Sequence, residues 1–213
     1  MAHVPHLYFA QPWADEIALS PGQKDHLNRV LRRSDGSEVS YTDGAGTIGT
    51  GRLKNDIVVR GHEETISATR PKRRLAVAPL RSKDRNRIVV EKSAELGIEE
   101  LIWLQTRHGQ APPPTTAKAR SWTIGALEQS RGAWLMQVSG PRRIESLEGQ
   151  LLIADRNGGV LAPQGLDTYT ILIGPEGGFA TDELPSEAPR ISFSDRTLRT
   201  DTAAILAAGL ILK

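Results

Sequence analysis

Apolar positions in the first 70 residues alternate with polar ones rather than running together. Glu38–Thr42 and Asp56–Arg60 are alternating or β-branched, and Asp43-Gly44 between them is a hairpin signal. One helix interrupts these strands: Ser20 is a candidate N-cap, Pro21 suits the first helical position, and Leu27, Val30 and Leu31 share one face before Gly36 stops it. A helix set among short strands predicts a small β-barrel over residues 1–70.

From Leu75 the pattern changes. Leu75–Leu80, Leu101–Leu104, Leu151–Ala154, Thr170–Ile173 and Ile191–Phe193 are apolar enough to be buried strands. Between them, helical spacing runs over Asn86–Leu96, with Gly97 as a stop, and over Thr116–Ser130. Thr181-Asp182-Glu183-Leu184 reads as another helix start, and a last helix begins near Asp201. Strands alternating with helices predict an α/β domain over residues 71–213, with a mainly parallel sheet and a domain boundary near residues 70–74. Residues 203–212 are apolar on every side, so that helix is expected to be covered by its own chain or by a second subunit; the dimer is the preferred reading.

Composition narrows the chemistry. The 213 residues include no cysteine, which excludes a disulfide scaffold, a thiolate zinc site and a cysteine nucleophile. Met1–Ala10 has no basic start followed by an apolar run, and Ala203–Leu212 is about half a membrane span. The expectation is a soluble, cytoplasmic protein with no membrane partner. Net charge is only +2, yet residues 70–92 hold nine basic side chains against Asp84 and Glu91. A second cluster comprises Lys24, His26, Arg29, Arg32 and Arg33. Concentrated Lys and Arg mark either phosphate-backbone binding or a solvated linker, and on the first reading Arg29, Arg32, Arg33, Arg81, Lys83, Arg85 and Lys92 are the candidate nucleic-acid contacts, which the resemblance given below makes RNA contacts.

Three glycine-bearing or arginine-bearing stretches compete for the site. Gly44-Ala45-Gly46-Thr47-Ile48-Gly49 matches the dinucleotide fingerprint in letters, but a strand follows where a helix is needed, so it reads as a hairpin turn. Ile173-Gly174-Pro175-Glu176-Gly177-Gly178-Phe179 follows a strand, where open α/β sheets bind ligands. Its glycines admit close approach, and its Glu176 disfavours phosphate and favours a cationic ligand such as S-adenosylmethionine (SAM). Ser194–Thr202 follows another strand and carries Arg196 and Arg199, whose planar forks suit phosphate or carbonyl oxygens. His3, His6, His26, His62 and His108 are scattered, and no metal site is expected.

Lys92-Ser93-Ala94-Glu95-Leu96-Gly97, Glu128-Gln129-Ser130, Ile173–Gly178, Leu198-Arg199-Thr200-Asp201-Thr202, and His26-Leu27 with Arg29-Val30-Leu31-Arg32 together resemble one family across nearly the whole chain. It is the ribosomal RNA small subunit methyltransferase E family, SPOUT-superfamily enzymes that methylate N3 of a uridine in 16S rRNA. The resemblance implies an N-terminal PUA-like β-barrel that binds RNA. It also implies a C-terminal SPOUT domain with a trefoil knot that holds SAM and forms a homodimer, a knot no hydropathy pattern reveals. It assigns the cofactor to Ile173, Gly174, Pro175, Glu176, Gly177, Gly178, Ser194, Leu198 and Thr202. Arg199 is the first candidate for stabilising the uracil anion and Arg196 the second, with Glu128 and Asp201 as alternative bases. The rival expectations are a SPOUT methyltransferase for another RNA site and a non-catalytic RNA-binding ribosome assembly protein. The chain departs from the family at Arg131-Gly132, where Gly-Arg is usual, at Asp201 in place of Glu, at Ser194 in place of Gly, and in being shorter between residues 108 and 170.

Overall fold

The computed structural model describes residues 4–68, 72–160 and 168–210. His3, Arg70, Ile211 and Leu212, each part of an expectation above, lie outside the described residues, as does the Lys72 side chain. The chain forms two compact units: Met1–Ala68 with Leu127–Leu135, and Thr69–Ala126 with Met136–Lys213. The first therefore also takes in a segment from the end of a later helix.

In the first unit, strands β1 (His6–Tyr8), β2 (Glu16–Ala18), β3 (Glu38–Thr42), β4 (Thr47–Lys54) and β5 (Ile57–Thr65) form one sheet in the order β1-β3-β4-β5-β2. β1 runs parallel to β3 and the other pairs are antiparallel. Helix α1 (Pro21–Asp25) starts as expected: the Ser20 hydroxyl accepts from Gln23 N, and the Gln23 side chain returns to the Ser20 amide. The helix does not reach Gly36. It widens into a π-turn over His26–Val30, and Arg32 then turns the chain with φ 51°. The core gathers Leu7, Phe9, Ile17, Leu27, Val39, Tyr41 and Val58.

The glycine-rich stretch 44–49 is the β3–β4 hairpin. The Asp43 carboxylate accepts from Ala45 N at 2.7 Å and Thr47 N at 2.9 Å. Gly49 has a different cause: a Cβ there would stand 2.3 Å from the Tyr41 ring. Tyr41 thereby packs flat on the sheet and donates to Glu63 Oε1 at 2.7 Å.

His6 is buried on β1, with Nδ1 2.8 Å from Ser40 Oγ and Nε2 3.2 Å from Gly132 O. Burial lowers its pKa from the ordinary 6.5; the Gly132 carbonyl opposes the shift and the nearby Arg131 charge adds to it. Below about 6.5 the unfolded chain takes up the proton first, so stability is complete above that pH and falls as pH drops through the folded value. The denaturation midpoint should decrease between pH 7.5 and 5.5, and His6→Gln should flatten that slope. An unchanged slope in the variant would exclude His6 as its source.

The second unit adds β6 (Lys72–Val77), β7 (Glu100–Leu104), β8 (Gln137–Arg142), β9 (Gln150–Val160), β10 (Thr168–Ile173) and β11 (Arg190–Ser192). Their order is β11-β9-β10-β6-β7-β8, and every pairing is parallel. Leu75, Val77, Leu101, Ile171 and Ile173 build the core on one side, and Ala76, Ile102, Ile153 and Leu172 on the other. Helices α2 (Lys83–Glu95), α3 (Thr116–Ser130) and α4 (Thr200–Leu210) accompany the sheet. α2 begins three residues before the expected Asn86, because Ser82 caps it by accepting from Arg85 N at 3.3 Å. β8 is an edge strand, Gln137–Arg142, with no apolar run and a Gly-Pro pair, which is why pattern reading passes over it. The expected helix at Thr181 is a single 3-10 turn, Thr181–Glu183, because Pro185 follows at once.

The final helix is not enclosed by its own chain. Its small residues Ala204, Ala207 and Ala208 are buried, whereas Leu206 and Leu210 are 36% and 43% exposed. Ile88 on α2, which packs with α4, is 42% exposed. Among the described residues no helix is long and apolar enough to cross a membrane.

Candidate functional site

The carboxyl end of β10 passes straight into the glycine loop. Gly178 N donates to Pro175 O at 2.9 Å, closing a turn that places Gly178 at φ 71°. A Cβ on Gly174 would stand 3.1 Å from the Phe179 ring, a tight contact that the ring would have to yield to by a few tenths of an ångström, so glycine favours the close packing of that ring against the loop. His108 Nδ1 lies 3.1 Å from Gly178 O, a neighbour that chain order concealed.

A second wall comes from β9. Its pairing with β11 jumps from Arg190–Ile153 to Ile191–Gly159, so residues 154–158 bulge out of the ladder. The bulge presents Asp155 and Arg156. Asp155 accepts from Asn157 N at 2.9 Å and pairs with Arg190 at 2.5 Å. These contacts, the backbone amide foremost, hold its carboxyl below the usual range. Arg156 Nη1 donates to Thr197 Oγ1 at 3.3 Å.

The third wall is the stretch between β11 and α4. Ser192 Oγ donates to Ser194 O at 2.9 Å, and Arg196 N donates to Ser194 Oγ at 3.1 Å. A serine at 194 thus fixes the loop through its hydroxyl. The first residue of α4 then ties this wall to the first, for Thr200 Oγ1 donates to Gly174 O at 2.9 Å.

Together the three walls enclose a cavity of about 390 Å³ at the carboxyl ends of β9, β10 and β11. That size lies within the usual range of small-molecule sites, roughly 300–1,000 Å³. Ile153, Ile173, Ile191, Phe193 and Leu198 make it partly apolar, while Asp155, Arg156, Glu176, Arg190 and Arg196 bring charge to it. A partly apolar slot with a backbone cradle and side chains of both charges suits a small ligand that combines apolar surface with charged groups.

Of the residues picked out in the sequence, Ile173, Gly174, Pro175, Glu176, Gly178, Ser194, Arg196 and Leu198 line this cavity. Gly177, Thr202, Arg199 and Asp201 do not, although Arg199 and Asp201 flank Thr200, which does. Arg196 and Arg199 are exposed, and their guanidinium groups have no hydrogen bond or ion pair among the described residues. Asp201 is different: Arg85 Nε and Nη2 grip both its oxygens at 2.8 and 2.7 Å, which lowers its pKa. Arg85 Nη1 also donates to Glu176 Oε1 at 2.9 Å. Glu128 belongs to the first unit, where its carboxylate accepts from Tyr8 N at 2.9 Å; burial nonetheless raises its pKa. The sequence gives no sign of Asp155, Arg156 or Arg190, which the β9 bulge and the β9–β11 pairing bring to the cavity, nor of His108, which the loop after β7 brings to Gly178 O.

The described part of the basic run is spread over β6, the loop after it and α2. Arg73 and Arg74 lie on β6 and donate to the carbonyls of Gly97 at 3.4 Å and Glu148 at 2.6 Å. Arg87 pairs with Glu91, and Lys92 with Glu95, along α2. Arg81 and Lys83 remain exposed with no ion pair among the described residues. In the first unit Arg29 pairs with Asp25, while Arg32 is exposed and Arg33 half-buried. A strand, a loop and a helix point their side chains in different directions, so adjacency in sequence overstates the local field.

The RNA methyltransferase domain family matches residues 69–212. The ribosomal RNA small subunit methyltransferase E of Rickettsia conorii is 28% identical over 198 residues, 85% of this chain and 79% of that protein. Among solved structures, the ribosomal RNA small subunit methyltransferase E of Neisseria gonorrhoeae, bound to SAM, superposes with a TM-score of 0.82 at 23% identity. It covers 98% of this chain and 97% of its own. A Legionella pneumophila protein in complex with SAM gives 0.78 at 24% identity, covering 98% of this chain and 97% of its own. At these identities the structural likeness speaks for the fold.

Proposed function

The chain belongs to the RNA methyltransferase domain family, and from that premise we propose that it transfers a methyl group from SAM to N3 of a uridine in 16S rRNA of the small ribosomal subunit. The observation that carries the reading is the cavity of about 390 Å³ that the glycine loop and residues 194–198 build at the carboxyl edge of a parallel sheet. The relatives' names, a small-subunit rRNA methyltransferase and two proteins holding SAM, support donor and acceptor.

Within this reading Gly174 and Gly178 cradle the donor, the apolar side chains of Ile173, Ile191 and Leu198 take its flat base, and Glu176 and Asp155 face its positive charge. When bound, SAM supplies an activated methyl carbon that departs from sulfur as its bond to N3 forms. The acceptor must first lose its N3 proton, which leaves negative charge shared with two carbonyl oxygens. Arg199, exposed and unpaired among the described residues, is the group to stabilise that charge, with Arg196 second. Of the two carboxylates named from sequence, Asp201 is kept ionised but occupied by its pairing with Arg85, whereas burial raises the pKa of Glu128, which makes Glu128 the more basic of the two for taking the N3 proton.

The strand order β11-β9-β10-β6-β7-β8 accords with a SPOUT domain whose last segments form a trefoil knot, and the five-stranded first unit with a PUA-like RNA-binding barrel. The exposed Leu206, Leu210 and Ile88 suit a homodimer face. The reading places the protein in the cytoplasm, where its substrate is. Incubating it with SAM and 16S rRNA from a strain lacking the modification should yield one 3-methyluridine per rRNA by nucleoside mass spectrometry. Methylation at another base atom would favour a different RNA site. SAM binding without any methylation, or no SAM binding, would reject the enzyme.

A further inference from the structure

Among the described residues, Arg85 is the side chain that bonds to both the glycine loop and α4. It stands in the first turn of α2, only 24% exposed, and its three guanidinium nitrogens all donate to carboxylates distant in sequence. Two form a parallel fork on Asp201, itself 19% exposed, and the third reaches Glu176, 67% exposed, at the tip of the loop. Forks of this kind are among the stronger ion pairs, and partial burial protects them from salt. The contacts fall at two functional points. Asp201 is the second residue of α4, and its predecessor Thr200 is already bonded to Gly174 O. Arg199, whose carbonyl accepts from Ala203 N at 2.9 Å, is thus projected from backbone pinned at the two following residues.

We propose that Arg85 is a positioning residue: through Asp201 it sets the direction of Arg199, and through Glu176 it keeps the glycine loop shaped for SAM. This removes Arg85 from the RNA-contacting set in which its sequence neighbours place it. It also gives Asp201 a role as an acceptor rather than a base. The charges support the arrangement, since each partner holds the other in its ionised form. The inference rests on the methyltransferase reading and extends it by one residue.

The test compares wild type, Arg85→Ala, Arg85→Lys, Asp201→Asn and the Arg85→Ala/Asp201→Asn double variant, with Arg87→Ala on the same helix as control. SAM affinity is measured by calorimetry, methyl transfer in single turnover with SAM and RNA saturating, and RNA affinity as a function of salt. Arg85→Ala and Asp201→Asn should each slow transfer by about tenfold or more, as misplacement of a catalytic group does. The double variant should be little worse than either, since both break one link. Arg85→Lys should recover part of the rate by restoring the charge without the fork. Arg85→Ala should also weaken SAM binding, and the salt slope for RNA should stay that of wild type. A flatter slope with an unchanged saturated rate would make Arg85 an RNA contact and overturn the proposal. So would additive single effects or a rate insensitive to both changes. If Arg85→Ala does not fold, Arg85→Lys and Asp201→Asn decide on the same criteria. A wild-type protein that binds no SAM would instead reject the methyltransferase reading beneath it.

Discussion

Arg199→Ala should lower single-turnover methylation by on the order of 10²-fold with RNA and SAM saturating, the usual loss for one electrostatic stabiliser of a developing anion. Arg85 and Arg199 differ sharply in availability: Arg85 has its nitrogens on two carboxylates, whereas Arg199 is exposed and unpaired among the described residues. An arginine without an internal partner one residue before a helix, beside a cavity that its neighbour Thr200 lines, is free to act on a bound base. Phosphate contacts behave differently, since they release counterions and set the salt slope. Arg32→Ala with Lys83→Ala should therefore weaken RNA binding and flatten its salt dependence, while Arg199→Ala should do so far less. A variant lacking Arg199 that methylates at the normal rate once RNA is saturating would reassign it to docking.

Gly178→Val should weaken SAM binding by tenfold or more. Gly178 lies at φ 71° and lines the cavity. An L-residue forced into that region costs about 1–2 kcal/mol, and a β-branched one more, so the loop must rearrange and lose its cradle. Gly177, one residue earlier, makes the contrast. Its φ is ordinary, and a Cβ there would meet the His108 Cβ at 3.4 Å, a tolerable contact outside the cavity. Gly177→Ala should therefore cost only a few-fold. Calorimetry on both variants checks this, and equal losses would show that the loop recognises SAM through features other than the backbone turn at Gly178.

Much of this protein was legible in its sequence because it depends on local periodicity and local bonding. The Ser20-Pro21 helix start, the Asp43-Gly44 hairpin and the Thr116–Ser130 helix appear where the pattern puts them, since a cap or a turn is decided by residues a few positions apart. The parallel sheet follows from apolar strands separated by helices, and the loop after Ile173 follows from three glycines at a strand's end. Tertiary structure decided everything that depends on long closure. It put Arg85 against Asp201, 116 residues away, a pairing that no local pattern announces. It brought Asp155 and Arg156 into the cavity through a bulge whose register no hydropathy pattern encodes. It dispersed the basic run, because a strand alternates its side chains across a sheet while a helix spreads them around an axis. It turned the leucines of α4 outward by burying that helix through alanines. Sequence fixes what each segment prefers to be; which side chains meet depends on how the segments pack, and here that choice pairs Arg85 with Asp201 and Glu176 and leaves Arg199 without a partner among the described residues.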